Sequence, residues 1–117
     1  MHIFWGQHTL CNMAGINGIN LNDSEDLIKE LKRSIETTNA TLVEIVCHKF
    51  EPEGLSIVAI LQESHAALHI YPEHRALFMD VFTCGKAAEP EEIVNTFIKQ
   101  LKPERYTLQT CERSFPY

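Results

Sequence analysis

The sequence predicts an α+β fold: a two-layer sandwich with a mostly antiparallel sheet, two helices on one face, and a tendency to dimerise. Three observations lead there. Two segments carry apolar residues at helical spacing, and several others are short and β-branched or apolar. Their order is β-α-β-β-β-β-α-β. Two helices cannot cover both faces of such a sheet, so a second copy is expected to bury sheet surface or edges.

Taken in order, Ile3 to Leu10 mixes aromatic, apolar and polar residues and reads as a strand. Residues 12–22 hold two glycines and four asparagines and read as a loop. Asp23 or Ser24 can cap a helix, because a short side-chain oxygen accepts from the free N–H groups of the first turn. Leu27, Leu31 and Ile35 then recur every four residues, with Lys29, Glu30, Lys32 and Arg33 mostly off that line. The helix is expected to end near Asn39. Thr41 to Cys47 is β-branched and reads as a strand. Glu51-Pro52-Glu53-Gly54 is a turn, and Leu55 to Leu61 is a hairpin partner. Ala66–Tyr71 and Ala76–Thr83 are two more strands around Pro72-Glu73-His74-Arg75. Pro90 opens a second helix, since its missing N–H has no helical partner in the first turn. Ile93, Val94, Phe97, Ile98 and Leu101 form its buried face, Pro103 stops it, and Tyr106–Cys111 is a last strand.

The 117 residues suffice for one domain with one core, spanning 1–117. A hydrophobic fraction of 44% favours a folded chain. The formal net charge of −6 suits a small cationic ligand better than a phosphate backbone, so no nucleic acid is expected. No run approaches a bilayer span and no signal peptide is seen, so neither a membrane nor secretion is expected. The four cysteines form no CxxC pair and fit reduced thiols in a cytoplasmic protein.

The residues that carry chemistry lie mid-chain. Glu63-Ser64-His65 falls where one predicted strand ends and the next begins. Strain at such a junction can press the Ser64 hydroxyl onto the Glu63 carbonyl. Alone, the tripeptide is more simply a turn serine. The wider string decides otherwise. Gln62-Glu63-Ser64-His65-Ala66-Ala67-Leu68-His69-Ile70-Tyr71-Pro72-Glu73, followed by Asp80-Val81-Phe82-Thr83-Cys84-Gly85, resembles the small prokaryotic S-adenosylmethionine decarboxylases. The likeness runs from about Ile3 to Leu101 and is strongest from Lys49 to Gly85.

The resemblance implies a proenzyme that cuts itself between Glu63 and Ser64 into fragments 1–63 and 64–117. Attack by Ser64 turns the peptide bond into an ester. Loss of the Ser64 Cα proton eliminates the Glu63 carboxylate. Hydrolysis of the resulting dehydroalanine releases ammonia and leaves a pyruvoyl group. That group forms a Schiff base with the substrate amine and delocalises the charge left by CO2. His69 can exchange the protons of self-cleavage, with His65 a competitor. Ser56 matches a serine that positions the reacting ester. Cys84, followed by Gly85, matches the acid that returns a proton to the substrate carbon. Phe50 matches a ring that stacks on adenine and can attract a sulfonium, and Glu73 matches an acid near the ribose.

Some positions depart from the family pattern. Asn12 stands where an acid is usual, Ala66-Ala67 and Ile70 replace hydroxyl-bearing residues, Tyr71 replaces tryptophan, and Ile57 replaces glycine. The departures bear on the substrate more than on the cofactor. The leading expectation is decarboxylation of S-adenosylmethionine to the aminopropyl donor of spermidine synthesis. A pyruvoyl enzyme acting on ornithine or arginine, and an unprocessed non-enzymatic dimeric module, are the alternatives. No metal is expected: His65 and His69 stand four apart, but nothing in sequence completes a ligand set.

Overall fold

The structure is a computed structural model that describes residues 3–62, 64–85 and 88–116. Its elements are β1 (Ile3–Ile16), α1 (Ser24–Glu36), β2 (Leu42–Lys49), β3 (Leu55–Leu61), β4 (Ser64–Tyr71), a 3₁₀ turn (Pro72–His74), β5 (Ala76–Cys84), α2 (Pro90–Leu101) and β6 (Pro103–Pro116). The strands form one six-stranded sheet in the order β2-β3-β4-β5-β1-β6. Every neighbouring pair is antiparallel. The expected α+β class and element order hold.

Alternation along the strands divides the sheet into two faces. Cys11 and Met13 of β1, Leu55, Ile57, Ala59 and Leu61 of β3, Leu68 and Ile70 of β4, and Leu77, Met79 and Val81 of β5 point at the helices and are buried. Leu27, Leu31 and Ile35 of α1 and Ile93, Val94, Phe97 and Leu101 of α2 close over them. Helix α1 starts where Asp23 caps it, its carboxylate accepting from the Asp26 N–H at 3.1 Å. The buried threonines of β1 and β5 are paired. Thr9 shares a 2.8 Å hydrogen bond with Thr110, and Thr83 donates to the Ala88 carbonyl at 2.8 Å.

The outer strands differ from the sequence reading. Asn12–Ile16, expected to be loop, continues β1, and β6 starts at Pro103 rather than Tyr106 and runs to Pro116. The two pair along nearly their whole length. Asn12 fits because its side chain donates to the Thr107 hydroxyl across the pair at 3.1 Å. The loop begins only after Ile16, and Gly15, with a φ of +67°, interrupts the regular ladder just before it. Helix α1 stops at Glu36, three residues early, where the Thr37 and Thr38 hydroxyls bond back to the Ser34 and Ile35 carbonyls.

The opposite face carries no helix. Leu10, Val46, Ile60, Tyr71 and Phe78 are exposed on it, each at least 40% accessible. Set among them are His8, His65, His69, Asp80 and Ser56.

Candidate active site

Two groups of the predicted residues form, at opposite ends of the sheet. At one end, β3 and β4 lie side by side with Ser56 paired to His69. Ser56 Oγ and His69 Nδ1 share a hydrogen bond of 3.0 Å. Both residues border an open cleft of about 470 Å³ that also takes in Phe50, Gly54, Tyr71 and Glu73. Phe50 is half exposed, its ring 4.6 Å from that of His48. Gly54 has φ +111° and closes the turn that brings the Phe50 N–H to the Gly54 carbonyl at 2.9 Å. Four residues chosen from sequence, Phe50, Ser56, His69 and Glu73, thus meet in one cleft.

Ser64 and Cys84 are at the other end. Ser64 is the first residue of β4 and pairs with Leu61, the last of β3. Cys84 is the last residue of β5, paired with Gly6 of β1, its thiol 3.6 Å from the Trp5 carbonyl. Gly6 has no room for a side chain: a Cβ there would sit 2.7 Å from the Phe82 ring. Gly85 has φ +66°, so the chain turns directly after the thiol, as expected from its place in the sequence. Glu63, the expected cleavage position, lies outside the described residues. Ser64 and His69 belong to one strand, five residues apart, which separates them by about 16 Å. A single copy therefore does not bring the processing serine to the histidine and serine expected to serve it.

Between the two ends lies a cluster that sequence reading missed. Asp80 Oδ1 accepts from His8 Nε2 at 2.9 Å and from His65 Nε2 at 2.6 Å. The His8 and His65 rings meet edge to face at 5.6 Å, both beside Phe82. The Arg113 guanidinium lies 5.4 Å from the centre of the Phe82 ring. These ligand-type atoms of His8, His65 and Asp80 fall within 4.8 Å of one another, whereas His69, the sequence partner of His65 in the metal idea, is bound to Ser56 instead. A signal was available: Asp80 is a lone carboxylate inside the apolar run Phe78-Met79-Asp80-Val81-Phe82. Such a group needs partners.

Burial pushes the Asp80 carboxyl upward, but hydrogen bonds from His8 and His65, and the charge on those rings, outweigh it and hold the carboxyl below the usual 3.8. A carboxyl depressed in the folded state stabilises it fully above the unfolded value and loses that contribution as pH falls through the folded value. Asp80→Asn is therefore expected to cost stability at pH 7 and progressively less from about pH 4 downward. Urea unfolding at pH 7 and pH 3 measures this; an equal cost at both would remove the charge from the account. Cys11 behaves differently. Burial among apolar side chains raises its thiol to about 11, so it stays protonated and packs as a small hydrophobe. The described cysteines are all free.

Among the described residues, no helix is long and apolar enough to cross a membrane. Comparison with known proteins gives a consistent result. Residues 7–114 match the family model described as S-adenosylmethionine decarboxylase. An S-adenosylmethionine decarboxylase proenzyme of Methanococcus maripaludis strain S2 is 36% identical over 108 residues, covering 92% of this chain and 88% of its own. One of Prochlorococcus marinus strain MIT 9211 is 30% identical over 111 residues, covering 95% and 91%. The crystal structure of the adenosylmethionine decarboxylase from Aquifex aeolicus VF5 superposes with a TM-score of 0.87 at 28% identity, over 97% of this chain and 94% of that one. With the family model matching residues 7–114 and relatives 30% and 36% identical over most of their length, the chain belongs to the S-adenosylmethionine decarboxylase family.

Proposed function

We propose that this chain is a proenzyme that cuts itself between Glu63 and Ser64 and then decarboxylates S-adenosylmethionine, in the cytoplasm, as a homodimer. Family membership supports the activity, and the relatives bear the name of proenzymes. The observation that carries the assignment of residues is the hydrogen-bonded Ser56–His69 pair, already formed in a cleft that also holds Phe50 and Glu73.

Two features support dimerisation through the open sheet face. That face exposes Leu10, Val46, Ile60, Tyr71 and Phe78 together, more apolar surface than a lone sheet keeps in water without cost. The residues needed for one reaction also stand at the two ends of the sheet. A two-fold axis between two stacked sheets, perpendicular to the strands, lays the Ser64–Cys84 end of one copy over the Ser56–His69 end of the other. Sheets pack about 10 Å apart, within reach of side chains from both.

The residues present fit a pyruvoyl group. Ser64 opens a strand straight after a connection of two residues, and no lysine or external cofactor has to be accommodated. The group, once made, supplies an electron sink for the charge released with CO2. The remaining work falls to side chains. His69, oriented by Ser56, takes the Cα proton of residue 64 during self-cleavage. Cys84 returns a proton to the substrate carbon. Phe50 stacks on the adenine and its ring attracts the sulfonium. Glu73 accepts from the ribose hydroxyls.

The substrate is tested by reductive trapping. Purified protein is treated with cyanoborohydride and S-adenosylmethionine, arginine or ornithine, and the fragments are weighed. Fixation of S-adenosylmethionine on fragment 64–117, with CO2 release, is the expected result. Trapping and turnover of a basic amino acid in its place would replace the substrate and leave the cofactor standing.

A further inference from the structure

We propose that Asp80 is a positioning residue that clamps the strand end created by self-cleavage, acting through His65. This rests on the processing proposed above and adds to it a task that arises only afterwards.

Before the cut, β4 is anchored at its start by the chain itself, because Leu61 and Ser64 are joined through two residues. After the cut that connection is gone. Conversion of residue 64 to a pyruvoyl group also removes its backbone nitrogen. Free strand ends fray. Yet the keto carbon at this end has to stay in register with a proton donor and a bound substrate, and misplacement by 1 Å can cost about a hundredfold in rate.

The next side chain along, His65, is held from across the sheet. Its Nε2 donates to Asp80 Oδ1 at 2.6 Å, shorter than an ordinary N–H···O bond. The same oxygen accepts from His8 Nε2 at 2.9 Å. The hub therefore ties β4 to β5 and β1 through side chains, independently of the turn. Phe82, which pairs with both His8 and His65 across the two ladders, fills the space beside the two rings, with Arg113 near it on β6. The charged groups around the hub are His8 on β1, His65 on β4 and Arg113 on β6. No glutamate or second aspartate joins it among the described residues.

The test compares Asp80→Ala in two backgrounds: the self-cleaving chain and the uncleaved Ser64→Ala chain. Hydrogen exchange of the amides of residues 66–70 is the readout that an ordinary packing role would not split. Expected is faster exchange in the cleaved chain, by tenfold or more, and little change in the uncleaved one, where the turn still holds the strand. Steady-state kinetics of the cleaved variant should show kcat down about 10- to 100-fold with KM within about twofold. Asp80→Asn keeps an acceptor oxygen in place and should recover most of both effects. Equal loosening in the two backgrounds, or none in either, overturns the clamp while self-cleavage stands. An unchanged kcat in a cleaved Asp80→Ala chain overturns it as well. A wild-type chain that never cleaves overturns this inference together with the function on which it rests, and its intact mass tells that case apart.

Discussion

Ser64→Ala is expected to leave one polypeptide of about 13.4 kDa, no hydrazine-reactive group and no decarboxylase activity, where the wild-type chain is expected to yield fragments 1–63 and 64–117. The reason is the balance of the processing chemistry. Without the hydroxyl there is no ester, without the ester no elimination, and without elimination no carbonyl to accept the electrons left by CO2. Enzymes commonly gain at least about a millionfold over the uncatalysed reaction, so losing the electron sink should reduce turnover to background. The fold should survive. Ser64 is only half buried at a strand end, and such substitutions usually cost within about 0.5 kcal/mol. A turn serine would give the same small change in stability but no change in mass pattern. Denaturing mass spectrometry and phenylhydrazine labelling of both proteins distinguish the two roles. A wild-type chain that stays whole, or a Ser64→Ala chain that still cleaves, would end the pyruvoyl account.

What could be read without coordinates depended on how local the signal was. Helices α1 and α2 announce themselves through leucines and isoleucines at spacing four and through Asp23 and Pro90 at their starts. Strands β3, β4 and β5 are nearly as plain, because their buried rows are almost wholly apolar. The ends of β1 and β6 were not legible, since each is held by the other: Asn12 in isolation favours a turn, and only Thr107 across the ladder makes it a strand residue. The site divides in the same way. Ser56, Ser64, His69 and Cys84 are proposed through a motif. His8 and Asp80 carry no motif, and their meeting with His65 depends on the register of three strands. The distance between Ser64 and His69 was hidden too. Five residues in sequence look close until the segment is known to be a single extended strand.

That separation leads to the second large effect. If each working site takes Ser64 and Cys84 from one copy and Ser56 and His69 from the other, two dead variants should rescue each other. Ser64→Ala and His69→Ala are each expected to be inactive alone, the first for want of a nucleophile and the second because processing lacks its base. Co-expressed, or mixed as unprocessed chains after dissociation, they form heterodimers in which one site has lost both residues. The other site combines the intact Ser64 of the His69→Ala chain with the intact His69 of the Ser64→Ala chain. Random pairing makes half the dimers mixed, each with one of two sites restored, so activity should reach about a quarter of wild type. Cleavage should be confined to the His69→Ala chain, which a mass tag on either chain would reveal. A site assembled within one copy predicts zero activity and no cleavage in the same mixture, because neither chain carries both residues. Raising the mixing ratio in favour of either variant should lower the yield on both sides of an equal mixture. That dependence follows from pairing statistics alone and cannot be produced by a small contamination with wild-type protein.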